Sequence, residues 1–221
     1  MSIGSKIEWL KKELPAHVKL VAVSKFHPPE DVFEAYQAGQ RVFGESRVQE
    51  LTGKHKALPS DIEWHFIGPL QSNKVKDMAP FIHTIHSIDS LRLIEEVNKQ
   101  AARQNRIIRV LLEIRIAAEE GKHGFTPSEV KELLAKENIH SFSHIRICGL
   151  MGMATFTDDE TRIRTEFHLL SSLFQEIKSS AALKDAGYFN ELSMGMTGDY
   201  KLAIQEGSTM VRIGSYIFGD R

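Results

Sequence analysis

The stretch KLVAVSKFHPPEDVFEAYQAGQRVFGES, residues 19–46, joins an apolar, β-branched run to a helical pattern and then to a second apolar run. The centre of the first run, 19–25, is apolar on both faces, which is typical of a parallel strand covered by helices. The helical pattern opens with prolines and acidic residues and closes at Gly39, as a first turn and a C-terminal cap require. This strand–helix–strand unit predicts a parallel sheet.

The same alternation recurs along the rest of the chain. Helices are predicted after Ser90, after Thr126 and over 159–182, and an additional helix precedes the first strand. Eight strands alternating with helices predict an α/β fold: a single (β/α)8 TIM barrel with an extra N-terminal helix, one domain over 1–221. A doubly wound sheet is the alternative. Besides 19–25, the predicted strands are 41–46, 63–68, 84–89, 108–116, 145–153, 190–196 and 210–219.

Charge and composition exclude several classes of protein. The 28 Lys and Arg nearly cancel the 29 Asp and Glu, which argues against a protein built to neutralise nucleic-acid phosphates. One cysteine, Cys148, cannot form an internal disulfide. The N-terminus lacks the apolar run of a signal peptide, and no window approaches the roughly 20 apolar residues of a membrane span. We therefore expect a cytoplasmic protein with neither a nucleic-acid nor a membrane partner.

Lys25 is the first candidate for chemistry, because functional groups in such barrels lie at the C-terminal ends of strands. Strand alternation puts Val21, Val23 and Lys25 on one face. If that face points inward, partial burial would favour the neutral, nucleophilic amine. The alternative is that Lys25 is only the first solvated residue after its strand.

Two glycine-rich segments end the seventh and eighth predicted strands, SMGMTGD (193–199) and RIGS (212–215). Glycines let backbone N–H groups approach an anion, and hydroxyls can donate to it, so these segments predict a phosphate site. The alternative is that the glycines are ordinary turn residues. Arg212 lies within an apolar strand and needs a partner, either a ligand acceptor or a neighbouring carboxylate.

Other polar or sulfur-containing residues are weaker candidates. His65 is interpreted as a pocket residue or an ordinary core histidine. His83 and His86 would face opposite sides of a strand, which makes them a poor zinc-binding pair. Cys148 is interpreted as inert core, and Met151 and Met153 are more often packing residues than a pocket floor.

Taken together, the motifs resemble the pyridoxal phosphate homeostasis protein family along nearly the whole chain. The resemblance is carried by AVSK (22–25), FGES.VQE (43–50), WHFIGPLQSNK (64–74), GLM (149–151), SMGMTGD (193–199) and VRIGSYIFGDR (211–221). It implies a barrel similar to the N-terminal domain of alanine racemase, with pyridoxal 5′-phosphate (PLP) as the cofactor.

The resemblance also implies roles for individual residues. Lys25 matches the lysine that holds the cofactor as a Schiff base, SMGMT matches the phosphate loop, and Arg212 matches the arginine beside the pyridine nitrogen. The family usually has Asn where this chain has Ser46, and the segment after Met151 also differs, so the contacts and wall there are expected to change. The implied cofactor-binding set is Lys25, Ser46, His65, Met151, Ser193, Gly195, Met196, Thr197, Arg212, Gly214 and Ser215.

The function expected from this resemblance is storage and delivery of PLP, with PLP-dependent apoenzymes as recipients. An arginine beside the ring nitrogen disfavours its protonation and weakens the ring as an electron sink. Related racemases carry a C-terminal domain that supplies an acid–base residue, and the chain is expected to lack it. The alternatives are a PLP-dependent racemase or decarboxylase, or a barrel enzyme acting on a phosphorylated metabolite. The resemblance further suggests a monomer or weak dimer.

Overall fold

Eight parallel strands form a closed barrel in which each strand pairs with the next along the chain and the last pairs with the first. The structure, a computed structural model, describes residues 1–117, 123–136, 139, 141–180 and 187–219. The closing pair aligns Lys19 with Met210, which confirms the predicted (β/α)8 barrel over the doubly wound alternative. The strands are β1 Lys19–Val23, β2 Val42–Glu45, β3 Glu63–Phe66, β4 Thr84–Ile88, β5 Ile108–Glu113, β6 Ile145–Met151, β7 Glu191–Met196 and β8 Met210–Ile213.

Helices connect the strands and cover the outside of the barrel. The predicted starts at Ser90 and Thr126 are confirmed, because each side chain accepts a backbone N–H of the first helical turn. None of the helices in the described part of the chain has the length and apolar character needed to cross a membrane. The helices are α1 Ile3–Glu13, α2 Pro29–Gln37, α3 Val48–Ala57, α4 Val75–Met78, α5 Leu91–Arg103, α6 Pro127–Ala135, α7 Glu160–Ser179, α8 Tyr200–Gln205 and α9 Ser215–Phe218.

The predicted bounds of the longest helix and of the last strand need correction. The helix predicted over 159–182 begins after its Asp159 cap and ends at Ser179, and positions 181 and 182 lie outside the described residues. The strand predicted over 210–219 is wrong in its second half, because the chain turns at Gly214 and forms α9. A short apolar run does not by itself distinguish strand from helix, and this one is buried against another helix.

That other helix is α1, the predicted extra N-terminal helix, which lies against α2 and α9. Lys6 Nζ donates to the Ile217 carbonyl at 3.2 Å, and the rings of Trp9 and Tyr216 pack with centroids 5.4 Å apart. The helix after β8 is therefore held in place by the beginning of the chain.

The strands separate an apolar layer from a more polar barrel interior. On β3, Trp64 and Phe66 are buried beneath the helices, and His65 between them points the other way, into the barrel. His86 and Ser193 are also fully buried and share a hydrogen bond inside the barrel. These polar groups occupy the barrel interior between its two ends.

Candidate functional site

A cavity of about 1220 Å³ opens at the carboxyl ends of the strands. Loops that follow β1, β2, β3, β6, β7 and β8 contribute to its wall, as expected for the functional face of a barrel. Seven of the predicted cofactor-binding residues line it: Lys25, Ser46, Met196, Thr197, Arg212, Gly214 and Ser215.

The four other predicted residues do not line the cavity. His65 and Ser193 are fully buried in the barrel interior beneath it. Met151 packs in the interior against Leu111 and Cys148, which agrees with its interpretation as packing. Gly195 has a left-handed φ of 95° and lies so close to α8 that a Cβ there would be 2.6 Å from a helix side chain. These four residues lie in the barrel interior or beside α8 rather than in the cavity wall.

Lys25 lies in the turn after β1 and is half-buried. Val23 and Lys25 both line the cavity, in keeping with the shared face that alternation predicts, although the strand ends two residues earlier than predicted. The next residue, Phe26, has a left-handed φ of 69°, which is uncommon for a residue with a side chain. Its N–H donates to Glu50 at 2.8 Å, and the Arg47 guanidinium lies 4.7 Å above its ring.

A buried ion pair supports this turn from the outer side of the barrel. Lys54 Nζ lies 2.6 Å from Glu45 Oε1 and donates to the Ser24 carbonyl at 2.7 Å. The Ser24 hydroxyl donates to the same Glu45 oxygen at 2.6 Å. Burial raises the pKa of Glu45, and Lys54 and Ser24 oppose this by stabilising the carboxylate. Because Ser24 directly precedes Lys25, this cluster fixes the base of the lysine turn.

Lys54 is not among the residues predicted from the sequence. A lysine in the middle of a helical pattern is usually solvated, and no local feature of α3 indicates that this one is buried. Only the packing of α3 against β2 brings the two charges together.

The loops after β7 and β8 form the opposite part of the wall. The Gly214 N–H donates to Thr197 Oγ1 at 3.3 Å, which ties the two loops together. A Cβ on Gly214 would lie 3.1 Å from the Val23 carbonyl oxygen, so glycine allows this loop to approach β1. A Cβ on Gly198 would meet no atom within 4 Å, and the loop therefore leaves open space above its backbone. Backbone N–H groups, a hydroxyl and open space are what an anion requires.

Arg212 is a buried cation in the cavity wall. It donates to Ser193 Oγ at 2.6 Å and to the Gly152 carbonyl at 3.0 Å. Burial lowers the pKa of Arg212 to about 10, while the carboxylates of Asp199 and Glu113 oppose this shift. The guanidinium therefore stays protonated at pH 7, and its direct hydrogen bonds go to a hydroxyl and a carbonyl rather than to a carboxylate partner.

Hydrogen bonds continue from Arg212 into the barrel. Ser193 Oγ lies 3.0 Å from His86 Nδ1, and His86 Nε2 lies 2.8 Å from His65 Nδ1. Burial lowers the pKa of both histidines well below the ordinary value, so both imidazoles are neutral at pH 7. Sequence reasoning gave His86 no part in the candidate site. Only the strand register shows that His86 points into the barrel together with His65 and Ser193.

The predicted opposition of His83 and His86 is wrong. Both rings contact His65, with centroids 5.5 Å and 5.0 Å from it respectively. β4 begins at Thr84, so strand alternation does not determine the direction of the residue before it.

Comparisons with known proteins agree with this geometry. Residues 2–221 match the family model described as alanine racemase, N-terminal domain. The pyridoxal phosphate homeostasis protein of Pasteurella multocida is 44% identical over 209 residues, which cover 92% of this chain and 87% of that protein. PipY of Synechococcus elongatus PCC7942, solved with PLP bound, is 34% identical, with a TM-score of 0.88 over 99% of this chain and 100% of PipY. Alanine racemase from Streptomyces coelicolor A3(2), at 18% identity, shares the fold, with a TM-score of 0.78 over 99% of this chain and 58% of the racemase.

Proposed function

We propose that this chain, which belongs to the pyridoxal phosphate homeostasis protein family, binds PLP in the cavity and takes part in homeostasis of that cofactor. The observation that carries the proposal is that Lys25, Thr197 and Gly214 line one cavity. An amine and an anion-binding pair of loops thus lie within reach of a single small molecule that carries both an aldehyde and a phosphate.

The residues present fit this cofactor. The loops after β7 and β8 offer the Thr197 and Ser215 hydroxyls and glycine backbone to the phosphate. Lys25 would hold the other end as a Schiff base, with its amine nitrogen joined to the aldehyde carbon and one water molecule released. When bound, the cofactor supplies an electrophilic aldehyde and an aromatic ring that can delocalise charge.

Arg212 supports a carrier role over a catalytic one. Its guanidinium stays charged at pH 7 and is fixed by Ser193 and Gly152. If it lies beside the ring nitrogen, as we propose, the positive charge disfavours protonation of that nitrogen and weakens the ring as an electron sink. We further propose that the protein acts in the cytoplasm, as a monomer or weak dimer, and delivers PLP to apoenzymes.

Borohydride reduction tests the attachment. The purified protein, incubated with PLP, is expected to be yellow, to lose that colour on reduction, and to carry the pyridoxyl mass on the tryptic peptide that contains Lys25. Lys25→Ala should abolish the label, whereas Lys74→Ala, which removes an amine outside the cavity lining, should not. Equal labelling of Lys25→Ala and the wild type would refute the proposal.

A racemase or decarboxylase with the same cofactor is the competing function. It requires proton exchange at the α carbon of a free amino acid, so solvent deuterium should enter that position at a catalytic rate. We expect the rate with the PLP-loaded protein to be no greater than with free PLP for all common amino acids. Catalytic exchange with any of them would favour the enzyme.

A further inference from the structure

At the N-terminal end of the barrel, opposite the cavity, three potential metal ligands converge. Glu63, His65 and His83 each offer one ligand atom, and these atoms all lie within 4.8 Å of one another. Glu63 and His65 are two apart on β3 and share a face. His83 directly precedes β4, whose first residue pairs with His65 in the sheet register.

The environment of His65 is the second observation. This residue is fully buried, and its Nδ1 is engaged with His86 Nε2 at 2.8 Å. Its Nε2 is also buried and has no hydrogen-bond partner among the residues that the structure describes. Leaving a buried polar atom unsatisfied is unfavourable, and such atoms in native proteins usually have a reason. A ligand at Nε2 would supply one.

The chemistry of the three side chains suits a divalent transition metal. A neutral imidazole offers the lone pair of one ring nitrogen to an ion, and His65 Nδ1 is already engaged with His86, which leaves Nε2 for this purpose. Two imidazoles and a carboxylate form a donor set that Zn²⁺ accepts, with a fourth position for water. The nearby cations Lys19 and Arg109 are both paired with Glu191, which offsets their repulsion of an ion.

Two of the three ligands lie at the surface of the protein. The Glu63 and His83 side chains are 44% and 35% exposed, so they face solvent and can adjust. Ligands about 2.1 Å from a tetrahedral ion lie roughly 3.4 Å from one another. The two exposed side chains therefore need to close by at most about 1.4 Å on the buried His65.

We propose that Glu63, His65 and His83 form a binding site for a divalent ion of the Zn²⁺ class at the N-terminal end of the barrel. The ion would take the Nε2 lone pair of His65, so the ring proton must lie on Nδ1 and be donated to His86. His86 then donates from Nδ1 to Ser193 Oγ, which already accepts from Arg212. Ion binding thus selects one tautomer of both buried histidines.

Cobalt titration tests the site directly. Chelator-treated protein is titrated with Co²⁺, whose visible bands become intense in four-coordinate sites, and Zn²⁺ is then added as competitor. We expect one Co²⁺ per chain, displaced by Zn²⁺. Affinity should be at least tenfold weaker in His83→Ala and clearly weaker in Glu63→Gln. His168→Ala is the matched control, because it removes a surface histidine that pairs with a single carboxylate, Glu206, at 3.2 Å.

Long-range ¹H–¹⁵N spectra of the histidine rings give a second readout that does not depend on the variants. On addition of Zn²⁺ the His65 proton is expected on Nδ1, and the His86 resonances should shift with it. Equal Co²⁺ affinity in the wild type and His83→Ala, or His65 signals unchanged by Zn²⁺, would overturn the site. Both measurements are made with and without PLP. Ion binding at Glu63, His65 and His83 and PLP attachment at Lys25 have separate readouts, so either proposal can fail while the other stands.

Discussion

Replacing Lys54 by methionine tests the buried ion pair that supports the Lys25 turn. The Glu45 side chain is 0% exposed and that of Lys54 is 6% exposed, so neither charge is solvated when the other is removed. Methionine keeps most of the apolar stem of lysine and removes the ammonium group. The carboxylate is then left with the Ser24 hydroxyl, and breaking a buried pair in this way typically destabilises a protein by about 3–5 kcal/mol.

The titration of Glu45 sets an independent upper bound on the stability lost when Lys54 is replaced. A buried carboxyl group that has lost its cation can take up a proton instead. From an ordinary pKa of 4.5, this costs about 3.4 kcal/mol at pH 7, since each pH unit contributes about 1.4 kcal/mol. The two arguments agree on a loss of about 3 to 3.5 kcal/mol in the free energy of unfolding at pH 7.

The sign of the pH dependence follows from the same group. Burial raises the pKa of Glu45 in the folded protein. The folded state then binds more protons than the unfolded chain, and stability falls as the pH rises from the unfolded to the folded pKa. Removing Lys54 moves the folded pKa further up and extends this window. At pH 5 the difference between variant and wild type should shrink to about 1 kcal/mol.

Urea denaturation at pH 7 and pH 5 measures both quantities. Lys56→Met, on the exposed face of the same helix, is the matched control and should change stability by less than about 0.5 kcal/mol. The double variant Glu45→Gln/Lys54→Met removes the orphaned charge and should recover most of the loss. A loss below about 1 kcal/mol at pH 7, or one equal at both pH values, would refute the reasoning.

Three further outcomes are expected. Gly195→Ala should lower the free energy of unfolding, measured in urea, by about 1–3 kcal/mol, because the left-handed φ and the nearby α8 side chain exclude a Cβ. Gly53→Ala in α3, where a Cβ meets nothing within 4 Å, is the control and should raise it by up to about 1 kcal/mol. Thr197→Val should speed PLP release about tenfold through loss of the hydroxyl bonded to Gly214 N–H, and Thr197→Ser should restore slow release. Burial raises the pKa of Cys148 to about 11, so iodoacetamide at pH 8 should label it only after unfolding, and rapid labelling of the native protein would contradict this.

The sequence predicted the architecture because its signals were local. Runs such as 20–23 are apolar on both faces, which is typical of parallel strands buried under helices. The caps at Ser90 and Thr126 mark helix starts through contacts within one turn. The boundary error at 214–219 has the opposite origin. The helical turn there is fixed by packing against α1, some two hundred residues earlier, which no local pattern records.

The residues of the candidate site also differ in whether local sequence predicts them. Residues in short glycine-rich loops, such as Thr197 and Gly214, were predictable from the type of loop and its strand. Lys54 and His86 were not, because each acquires its role through a partner on another element. His83 shows that even a correct strand does not predict the direction of a side chain one residue outside it.

The pairing of β1 with β8 also has a kinetic consequence. Lys25 is carried by the loop after β1 and the proposed phosphate loops follow β7 and β8, so the cavity forms only when the first and last strands of the chain pair. Long-range parallel pairing of this kind is a slow, late step of folding. A ligand that binds only the closed barrel cannot accelerate the folding steps that precede closure. It should prolong the lifetime of the native state and leave the refolding rate unchanged.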